Sequence, residues 1–191
     1  MTALPSHANH RYFGHIVSAL VRRDGRLLLV EQQGPDDAEP AWALSGGKVE
    51  PGEDLVVALG RELREETGLI LDGVPCLAFV VQVFRDMGAE VVEEFVAFTF
   101  ACEVSGDIGP DDPDGLVLAA AWVEEAEALN RLALLDWYDS IPLRRWLDGS
   151  ATAGAVYTVR SAPAISSPGR ARLCPRRSPR ATNPPASAPA R

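Results

Sequence analysis

The sequence predicts an α/β fold on three observations. Two β-rich runs flank an Asp-Gly turn near the N-terminus, an amphipathic helix follows, and two long runs of alternating apolar residues come after it. The helix has one apolar face, which is expected to pack against a sheet. Two short segments rich in Leu, Ala or Trp then follow as further helices, so helices and strands share one domain.

The first two β-rich runs, over residues 15–33, are predicted to form a hairpin. Asp24-Gly25 separates them, and this dipeptide readily adopts the positive φ angles of a tight turn. Turn-forming residues over 34–41 predict a loop, and residues 42–44 a short strand. This strand leads into Gly46-Gly47, where glycine permits an irregular backbone.

A helix is predicted after the double glycine, from about Asp54 to Thr67. Acidic residues are expected in its first turn, and Gly68 is expected as its C-terminal cap. The later elements are expected in this order: strands over 74–86 and 91–104 that pair across a turn, an acidic loop over 105–115, a strand over 116–123, and short helices over 124–133 and 138–147.

Charge divides the chain into two parts. Residues 1–148 contain all 27 acidic residues and 11 of the 18 basic ones, a net formal charge of −16, whereas residues 149–191 contain seven arginines and no acid. The second part is rich in Pro, Ala, Ser and Arg and cannot bury enough apolar surface to offset its ordering entropy. We therefore predict a flexible N-terminus over 1–11, one domain over 12–148 and a disordered tail over 149–191.

The acidic domain excludes a large basic footprint for nucleic acid. The basic tail is the one candidate for nucleic-acid contact; its other interpretations are contact with the acidic domain or a solvated appendage. The three cysteines have no metal-binding spacing, and the chain has neither a secretion signal nor an apolar run of membrane-spanning length. We therefore expect a cytoplasmic protein with reduced thiols and no membrane contact. The oligomeric state is left open.

The predicted helix carries carboxylates where its apolar face should continue. On a wheel of 100° per residue, Leu55 and Leu59 lie on one line, which Glu62 and Glu66 extend at intervals of seven with Glu65 beside them. The alternative is a solvated charged face whose acids pair with arginines of the same helix. A solvated face would not coincide with the apolar one, and like charges at i and i+4 repel. A positive charge is therefore expected among these carboxylates.

Three carboxylates that converge from one helix face suit a hard divalent cation. Mg²⁺ and Mn²⁺ prefer oxygen ligands, and the backbone carbonyls of the Gly-Gly loop are additional donors. Zinc is disfavoured because no Cys or His accompanies the carboxylates. Bound Mg²⁺ commonly bridges carboxylates to substrate phosphates, which allows an acidic protein to bind an acidic substrate.

Residues 47–69 resemble the Nudix box, Gly-x5-Glu-x7-Arg-Glu-U-x-Glu-Glu-x-Gly-U, in which U is an aliphatic residue. Gly47, Glu53 and the run Arg61-Glu62-Leu63-Arg64-Glu65-Glu66-Thr67-Gly68-Leu69 match it at every defined position. The resemblance implies the α/β/α sandwich with a mixed central sheet of Nudix hydrolases over about residues 12–147. Members often have Pro before the double glycine, whereas this chain has Ser45.

The resemblance also implies a reaction, the hydrolysis of a nucleoside diphosphate linked to another moiety, and a set of metal ligands. Glu65 and Glu66 are implied as the principal ligands of Mg²⁺ or Mn²⁺. Glu62 is implied as a further ligand or as the base that activates water, and the Gly46 carbonyl as an additional ligand. The enzyme implied is a metal-dependent Nudix pyrophosphohydrolase.

Arg61 and Glu53 are implied as residues that hold the carboxylates in place. The general base is left open, because a carboxylate within hydrogen-bond reach of the attacking water can take its proton. Candidates outside the box lie on the second long strand and in the acidic loop: Glu93, Glu94, Glu103, Asp111, Asp112 and Asp114.

Three further residues have both a functional and a structural interpretation. Trp42 either stacks in a base pocket or belongs to the core. Lys48, the only lysine, and Arg85 are candidates for phosphate contact, although a lone basic residue is usually on the surface.

Substrate identity depends on loops outside the box. A nucleoside triphosphate, an oxidised nucleotide, ADP-ribose and a nucleotide sugar are all compatible with the sequence, and the compact domain favours a small nucleotide. The alternative function is a non-catalytic Nudix-fold sensor that binds a nucleotide and regulates a partner. Such a sensor is expected to have lost the carboxylates, and all are present. A third alternative is an acidic interaction domain without a nucleotide ligand.

Overall fold

A computed structural model describes residues 9–33, 39–86, 91–135 and 140–161 of the chain. The strands in this part are β1 (Asn9–Arg23), β2 (Arg26–Gln32), β3 (Ala41–Ala43), β4 (Ser45–Lys48), β5 (Ile70–Asp86), β6 (Val91–Ser105), β7 (Val117–Glu124) and β8 (Ala155–Ser161). The helices are α1 (Leu55–Thr67), α2 (Glu125–Leu132) and α3 (Ser140–Leu147). All predicted strands and helices are therefore present, together with two strands that were not predicted, β4 and β8.

The strands form two groups that diverge from one tight turn. The larger group has the order β4-β1-β6-β5-β8, in which β1 runs parallel to β6 and β5 parallel to β8. The smaller group has the order β3-β2-β7 and is antiparallel. The predicted hairpin is confirmed at its turn, where Asp24 has φ 51° and Gly25 has φ 75°. The predicted α/β class with a mixed sheet is confirmed.

Helices cover both faces of the larger group. On one face, Leu59 and Leu63 of α1 pack with Val17 of β1. On the other face, Leu132 of α2 and Leu143 of α3 share a core with Phe79 and Leu20. Each of these side chains contributes about 1.5–3 kcal/mol by leaving water, so the apolar stripe of each helix determines which face it covers. No helix in the described part of the chain is both long enough and apolar enough to span a membrane.

The ends of α1 differ in how well the sequence predicted them. Gly68 adopts a left-handed conformation with φ 77° and donates its N–H to the Arg64 carbonyl, which confirms the predicted cap. The first turn contains no acid, contrary to expectation, because the helix begins at Leu55 with Asp54 at the N-cap. The Gly68 cap turns the chain directly into β5, which starts at Ile70, four residues before the predicted position.

The double glycine forms strand β4 instead of an irregular loop. Gly46 pairs with Ser18 and Gly47 with Val17 in an antiparallel ladder with β1. A Cβ atom added to Gly46 would lie 2.1 Å from the Val17 carbonyl oxygen. Gly46 is therefore required by the close approach of two backbones, and β4 lies directly beneath α1.

The predicted flexible ends require correction where strands occupy them. Strand β1 begins at Asn9, inside the predicted flexible segment 1–11, and β8 occupies 155–161 of the predicted disordered tail. Strand β8 is ordered because it lies parallel to β5 and because Tyr157 packs edge-on against Phe79, with ring centroids 6.3 Å apart. Residues 1–8, 34–38, 87–90, 136–139 and 162–191 lie outside the described residues, so the predicted loop over 34–41, the predicted turn between the long strands and the predicted disorder of 162–191 stay predictions.

Two truncations separate the strand from the rest of the tail. Removal of residues 149–191 is expected to lower the free energy of unfolding by about 2 kcal/mol or more, because it removes the β8 ladder and an aromatic pair that alone contributes about 0.5–1.5 kcal/mol. Removal of residues 162–191 is expected to change it by less than about 0.5 kcal/mol. Chemical denaturation of both proteins would measure this, and equal stabilities would contradict a structural role for β8.

Candidate active site

The carboxylates of α1 face inward, as the helical wheel predicts. Glu62 is 4% exposed and Glu66 is 6% exposed, and both lie among the buried residues of the helix with Leu59 and Leu63. Glu65 has a partly exposed side chain. Two carboxyl groups are therefore buried in positions that the helix period would otherwise give to apolar side chains.

Glu66 is held between strands β2 and β4. Its two carboxylate oxygens accept hydrogen bonds from the Gly46 N–H at 2.7 Å and the Gln32 side-chain amide at 2.5 Å. Burial raises the pKa of Glu66 to about 8; the Gly46 N–H opposes this shift, whereas the negative charge of Glu62 adds to it. The buried Ser45 hydroxyl also lowers the pKa of Glu66, although it does not form a hydrogen bond with it.

Glu62 fills the space that a side chain at Gly47 would occupy. A Cβ atom added to Gly47 would lie 2.6 Å from the Glu62 carboxylate carbon and 2.7 Å from each of its oxygens. Arg61 donates from Nη1 to Glu62 Oε1 at 2.6 Å. The second glycine of the pair thus admits a carboxylate against the backbone of β4, and Arg61 balances part of its charge.

Arg61 connects the acidic residues of this region. Its Nε and Nη2 atoms each donate to a Glu53 oxygen at 2.8 Å, in the two-pronged geometry that guanidinium groups favour. Its Nη1 atom also lies 3.5 Å from Glu65 Oε2, and Nη2 donates to the Lys48 carbonyl at 3.3 Å. The hydrogen bonds that Arg61 donates to Glu53 raise the pKa of Arg61 above its ordinary value. Three acidic residues, Glu53, Glu62 and Glu65, are therefore brought together by one cation, Arg61.

The acidic loop over 105–115 packs on the C-terminal end of α1. The Gly109 N–H donates to the Thr67 carbonyl and the Asp111 N–H to the Glu65 carbonyl, both at 2.9 Å. These bonds bring Asp112 close enough for its negative charge to raise the pKa of Glu66. Asp112 also accepts hydrogen bonds from the backbone N–H groups of Leu116 and of Val117, the first residue of β7. Among the candidate bases outside the helix, Asp112 is thus placed beside the carboxylates.

Three other candidate bases have contacts elsewhere. Glu93 pairs with Arg85, with 3.3 Å between Oε2 and Nη1, and Glu94 accepts a hydrogen bond from Gln82 at 2.8 Å. Glu103 lines a separate groove with a cavity volume of about 270 Å³, to which no residue of the carboxylate cluster contributes.

The structure decides between the interpretations of the three remaining residues. Trp42 packs against the core that α2 covers, beneath the Arg131 guanidinium at 4.7 Å, which favours a structural role. Lys48 is exposed, with its ammonium group 4.5 Å from the Phe13 ring centroid. The expectation of a surface position is wrong for Arg85, which is 4% exposed.

The carboxylates fit a hard cation in donor chemistry and in charge. Two buried carboxylates repel each other, as the raised pKa of Glu66 indicates, and a dication would relieve that repulsion. However, no group of three or more His, Cys, Asp or Glu residues is arranged to hold a metal ion in the described part of the chain. Arg61, Gln32 and the Gly46 N–H engage the oxygens of Glu62 and Glu66. The metal site therefore stays a prediction that requires these side chains to change partners.

The sequence did not indicate Gln32 as part of this site. Gln32 lies at the end of β2, and its amide reaches Glu66 on α1 across 34 residues of chain. A single glutamine at the end of a strand has no distinguishing pattern in sequence. Its role depends on the distance between β2 and α1, which tertiary packing determines.

Comparison with known proteins identifies one family over most of the chain. The family model described as "NUDIX domain" matches residues 13–147. The CTP pyrophosphohydrolase of Escherichia coli strain K12 is 46% identical over 54 residues, which is 28% of this chain and 40% of that protein. Nucleoside triphosphatase NudI of Escherichia coli strain HS is 50% identical over 54 residues, 28% of this chain and 38% of that protein. The chain thus spans less than half the length of these curated relatives.

Solved structures agree with this family. The MutT protein of Bacillus halodurans superposes with a TM-score of 0.59 at 23% identity, over 80% of this chain and 92% of that one, which indicates a shared fold. The MutT Nudix hydrolase of Burkholderia pseudomallei superposes with a TM-score of 0.50 at 31% identity, over 65% of this chain and 87% of that one.

Proposed function

We propose, since the chain belongs to the Nudix family, that it is a divalent-cation-dependent pyrophosphohydrolase that cleaves the diphosphate linkage of a nucleoside triphosphate. Two curated relatives are named a CTP pyrophosphohydrolase and a nucleoside triphosphatase, and both matched stretches are short. The names support a nucleoside triphosphate over ADP-ribose or a nucleotide sugar. We propose a nucleoside triphosphate as the substrate and Mg²⁺ or Mn²⁺ as the cation.

The buried carboxylate pair, Glu62 and Glu66, is the observation that carries this function. A fold gains nothing from two adjacent buried carboxyl groups, because each one loses hydration and their ionised forms repel each other. Both side chains nevertheless lie at 4–6% exposure against a strand whose glycines leave room for them. Groups retained at such a cost are typical of sites where a cation and a polyanionic substrate bind.

The residues of the site have distinct proposed roles. Glu65 and Glu66, with the carbonyl of Gly46, would hold Mg²⁺ or Mn²⁺, and Glu62 would add a further ligand or act as a base. The cation, when bound, neutralises diphosphate charge and makes a water molecule more acidic. Glu62 or Asp112 would accept the proton of the attacking water.

Arg61 and Glu53 would position the carboxylates. The paired hydrogen bonds between them fix the guanidinium, whose Nη1 atom then orients Glu62 and Glu65. A carboxylate held in one orientation before substrate arrives loses less entropy when the reaction occurs.

A small substrate panel tests the function. The protein is incubated with ATP, CTP, GTP, UTP, ADP-ribose and a nucleotide sugar, with Mg²⁺ or with EDTA, and release of monophosphate and pyrophosphate is followed. Turnover of at least one triphosphate with Mg²⁺ and none with EDTA is expected. If no compound is hydrolysed but one raises the melting temperature, the protein is a nucleotide sensor instead of an enzyme.

Substitution of Arg61 by lysine is expected to lower kcat about tenfold or more. Lysine keeps the charge but cannot donate to Glu53 and Glu62 in the same geometry, and loss of a group that orients ligand residues commonly reduces activity 10- to about 100-fold. Arg64→Lys, an exposed arginine of the same helix, is the matched control and should retain activity. Equal kcat values for the two variants would show that Arg61 does not position the site.

A further inference from the structure

Arg85 of β5 is a buried cation with two hydrogen-bond donors that have no partner. The residue is 4% exposed, and its Nη1 atom lies 3.3 Å from Glu93 Oε2 on the neighbouring strand β6. Neither Nε nor Nη2 finds a hydrogen-bond partner within the described ranges of the chain. Buried donors without acceptors are rare in folded proteins, and one explanation for them is a functional group that binds there.

Arg85 lies on the face of the sheet opposite α1. Val17 belongs to the core beneath α1, whereas its neighbour Ile16 belongs to a separate cluster with Val83 and Phe95. Alternate residues of a strand point to the same face, so Arg85 shares the face of Val83. The guanidinium carbon stands 5.8 Å from the centroid of the Phe95 ring. The unpartnered donors are thus set among aromatic and aliphatic side chains.

A row of side chains joins Arg85 to the candidate active site. The Phe95 and Phe13 rings have centroids 6.3 Å apart, and the Lys48 ammonium group lies 4.5 Å from the Phe13 centroid. The backbone carbonyl of Lys48 in turn accepts a hydrogen bond from Arg61. The row crosses strands β4, β1, β6 and β5 on the face opposite α1, and its two rings lie between the Lys48 and Arg85 side chains.

The free donors of Arg85 have a defined geometry. Nε and Nη2 lie on one edge of the planar guanidinium, so their N–H groups point in parallel and match two acceptor atoms side by side. Phosphate and carboxylate groups present such a pair, and so do some nucleobase edges. These candidate ligands differ in charge. Because the Glu93 carboxylate already balances the charge of Arg85, a second anion beside it is disfavoured, and a neutral pair of acceptors is favoured. The apolar rings favour a planar base for the same reason.

We propose that Arg85 is a specificity-determining residue that binds two adjacent acceptor atoms on the substrate base, as guanine or cytosine presents them. Guanine carries O6 beside N7, and cytosine carries O2 beside N3. Adenine and uracil place a donor next to the corresponding acceptor, so they receive one hydrogen bond from this edge and leave the other donor unpaired. The inference rests on the proposed function, because it assigns the base subsite of the same substrate.

The expected consequence is a preference among the four common nucleoside triphosphates. The kcat/KM value for GTP or CTP should exceed those for ATP and UTP about tenfold or more, which corresponds to one good pair of hydrogen bonds to a base edge. In Arg85→Lys, the parallel donors are lost, so the preferred nucleotide should fall to the level of the others. A structural effect alone would lower all four values together and would leave their ratio unchanged.

Arg160→Lys is the matched control for this substitution. Arg160 is an exposed arginine of β8 that stacks 4.2 Å above the Phe84 ring, and the alternation of side chains places Phe84 on the face opposite Arg85. This variant should keep the base preference of the wild type. Melting temperatures of both variants show whether each is folded.

Several results would overturn the inference while the proposed function stands. These are equal kcat/KM values for all four triphosphates, a preference for ATP or UTP, or a guanine or cytosine preference that persists in Arg85→Lys. A uniform loss over all four nucleotides in that variant would indicate a phosphate contact if the melting temperature is unchanged, and a structural effect if the melting temperature falls. If the wild type hydrolyses no nucleotide, the proposed function fails, and calorimetric binding of GMP, CMP, AMP and UMP then tests the base subsite by itself. Binding of GMP or CMP that is tenfold tighter supports it, and equal affinities overturn it.

Discussion

A Glu66→Gln variant is expected to lose nearly all turnover while its melting temperature stays equal to that of the wild type or rises. Glutamine has the same shape and keeps an oxygen that can accept a hydrogen bond from the Gly46 N–H. It removes a buried carboxyl group whose ionisation is opposed first by burial and also by the charge of Glu62, as the raised pKa shows. A proposed cation ligand is lost at the same time, and because such a cation stabilises the transition state by several kcal/mol, we expect kcat to fall about a hundredfold or more.

This variant is therefore expected to lose activity without losing stability, which distinguishes a functional carboxylate from a structural one. Glu124→Gln is a suitable control, because Glu124 pairs with Arg26 on the surface and both side chains are more than half exposed. It should leave both quantities unchanged. Steady-state kinetics and thermal unfolding of the two variants provide the comparison. Full turnover in Glu66→Gln would remove Glu66 from the proposed site, and a large drop in melting temperature would show that its charge stabilises the fold.

The two glycines of β4 are expected to respond differently to alanine. In Gly46→Ala the new Cβ would lie 2.1 Å from a backbone oxygen, at a residue whose φ is 154°. The backbone of β1 cannot move away without breaking its ladder, so a loss of about 3 kcal/mol of unfolding free energy is expected. In Gly47→Ala the new Cβ meets the end of the Glu62 side chain, which can rotate away. That protein should fold with a loss below about 1 kcal/mol but with kcat reduced about tenfold or more.

Denaturant unfolding and kinetics of both alanine variants test this difference. Gly109→Ala is the control for stability, because a Cβ added there meets no atom within 4 Å. If Gly46→Ala were as stable as this control, the close approach of β1 and β4 would be wrong. If Gly47→Ala kept full activity, the position of Glu62 against β4 would have no bearing on catalysis.

Local patterns predicted those parts of the molecule whose cause is local. The inward carboxylates of α1 follow from the helix period, and the hairpin turn follows from the φ preferences of Asp24-Gly25. The spacing over 47–69 likewise identified the acidic residues that contact Arg61 and the double glycine. These features depend on neighbours within a few residues or on one helix, so the sequence contains the information directly.

Features that depend on distant partners were missed. Strand β8 has alternating Tyr157 and Val159, but the average composition of the tail concealed this short run, and its order depends on the edge of β5. Gln32 and Arg85 are single polar residues in strands, without a pattern of their own. What makes each of them notable is a neighbour on another element: Glu66 for Gln32, and Glu93 with Phe95 for Arg85. Such contacts follow from tertiary packing and cannot be inferred from spacing.

The parallel pairing of β1 with β6 affects how the chain is synthesised. Asn9 is paired with Val91 and Val21 with Cys102, so each paired residue of β1 has its β6 partner about 80 residues later in the chain. At a translation rate of about 5–20 residues per second, several seconds pass before that partner leaves the ribosome. Over this interval β1 can contact β2, β4 and α1, but the edge that later pairs with β6 has no partner. Nascent chains of this protein should therefore be clients of ribosome-associated chaperones until β6 emerges.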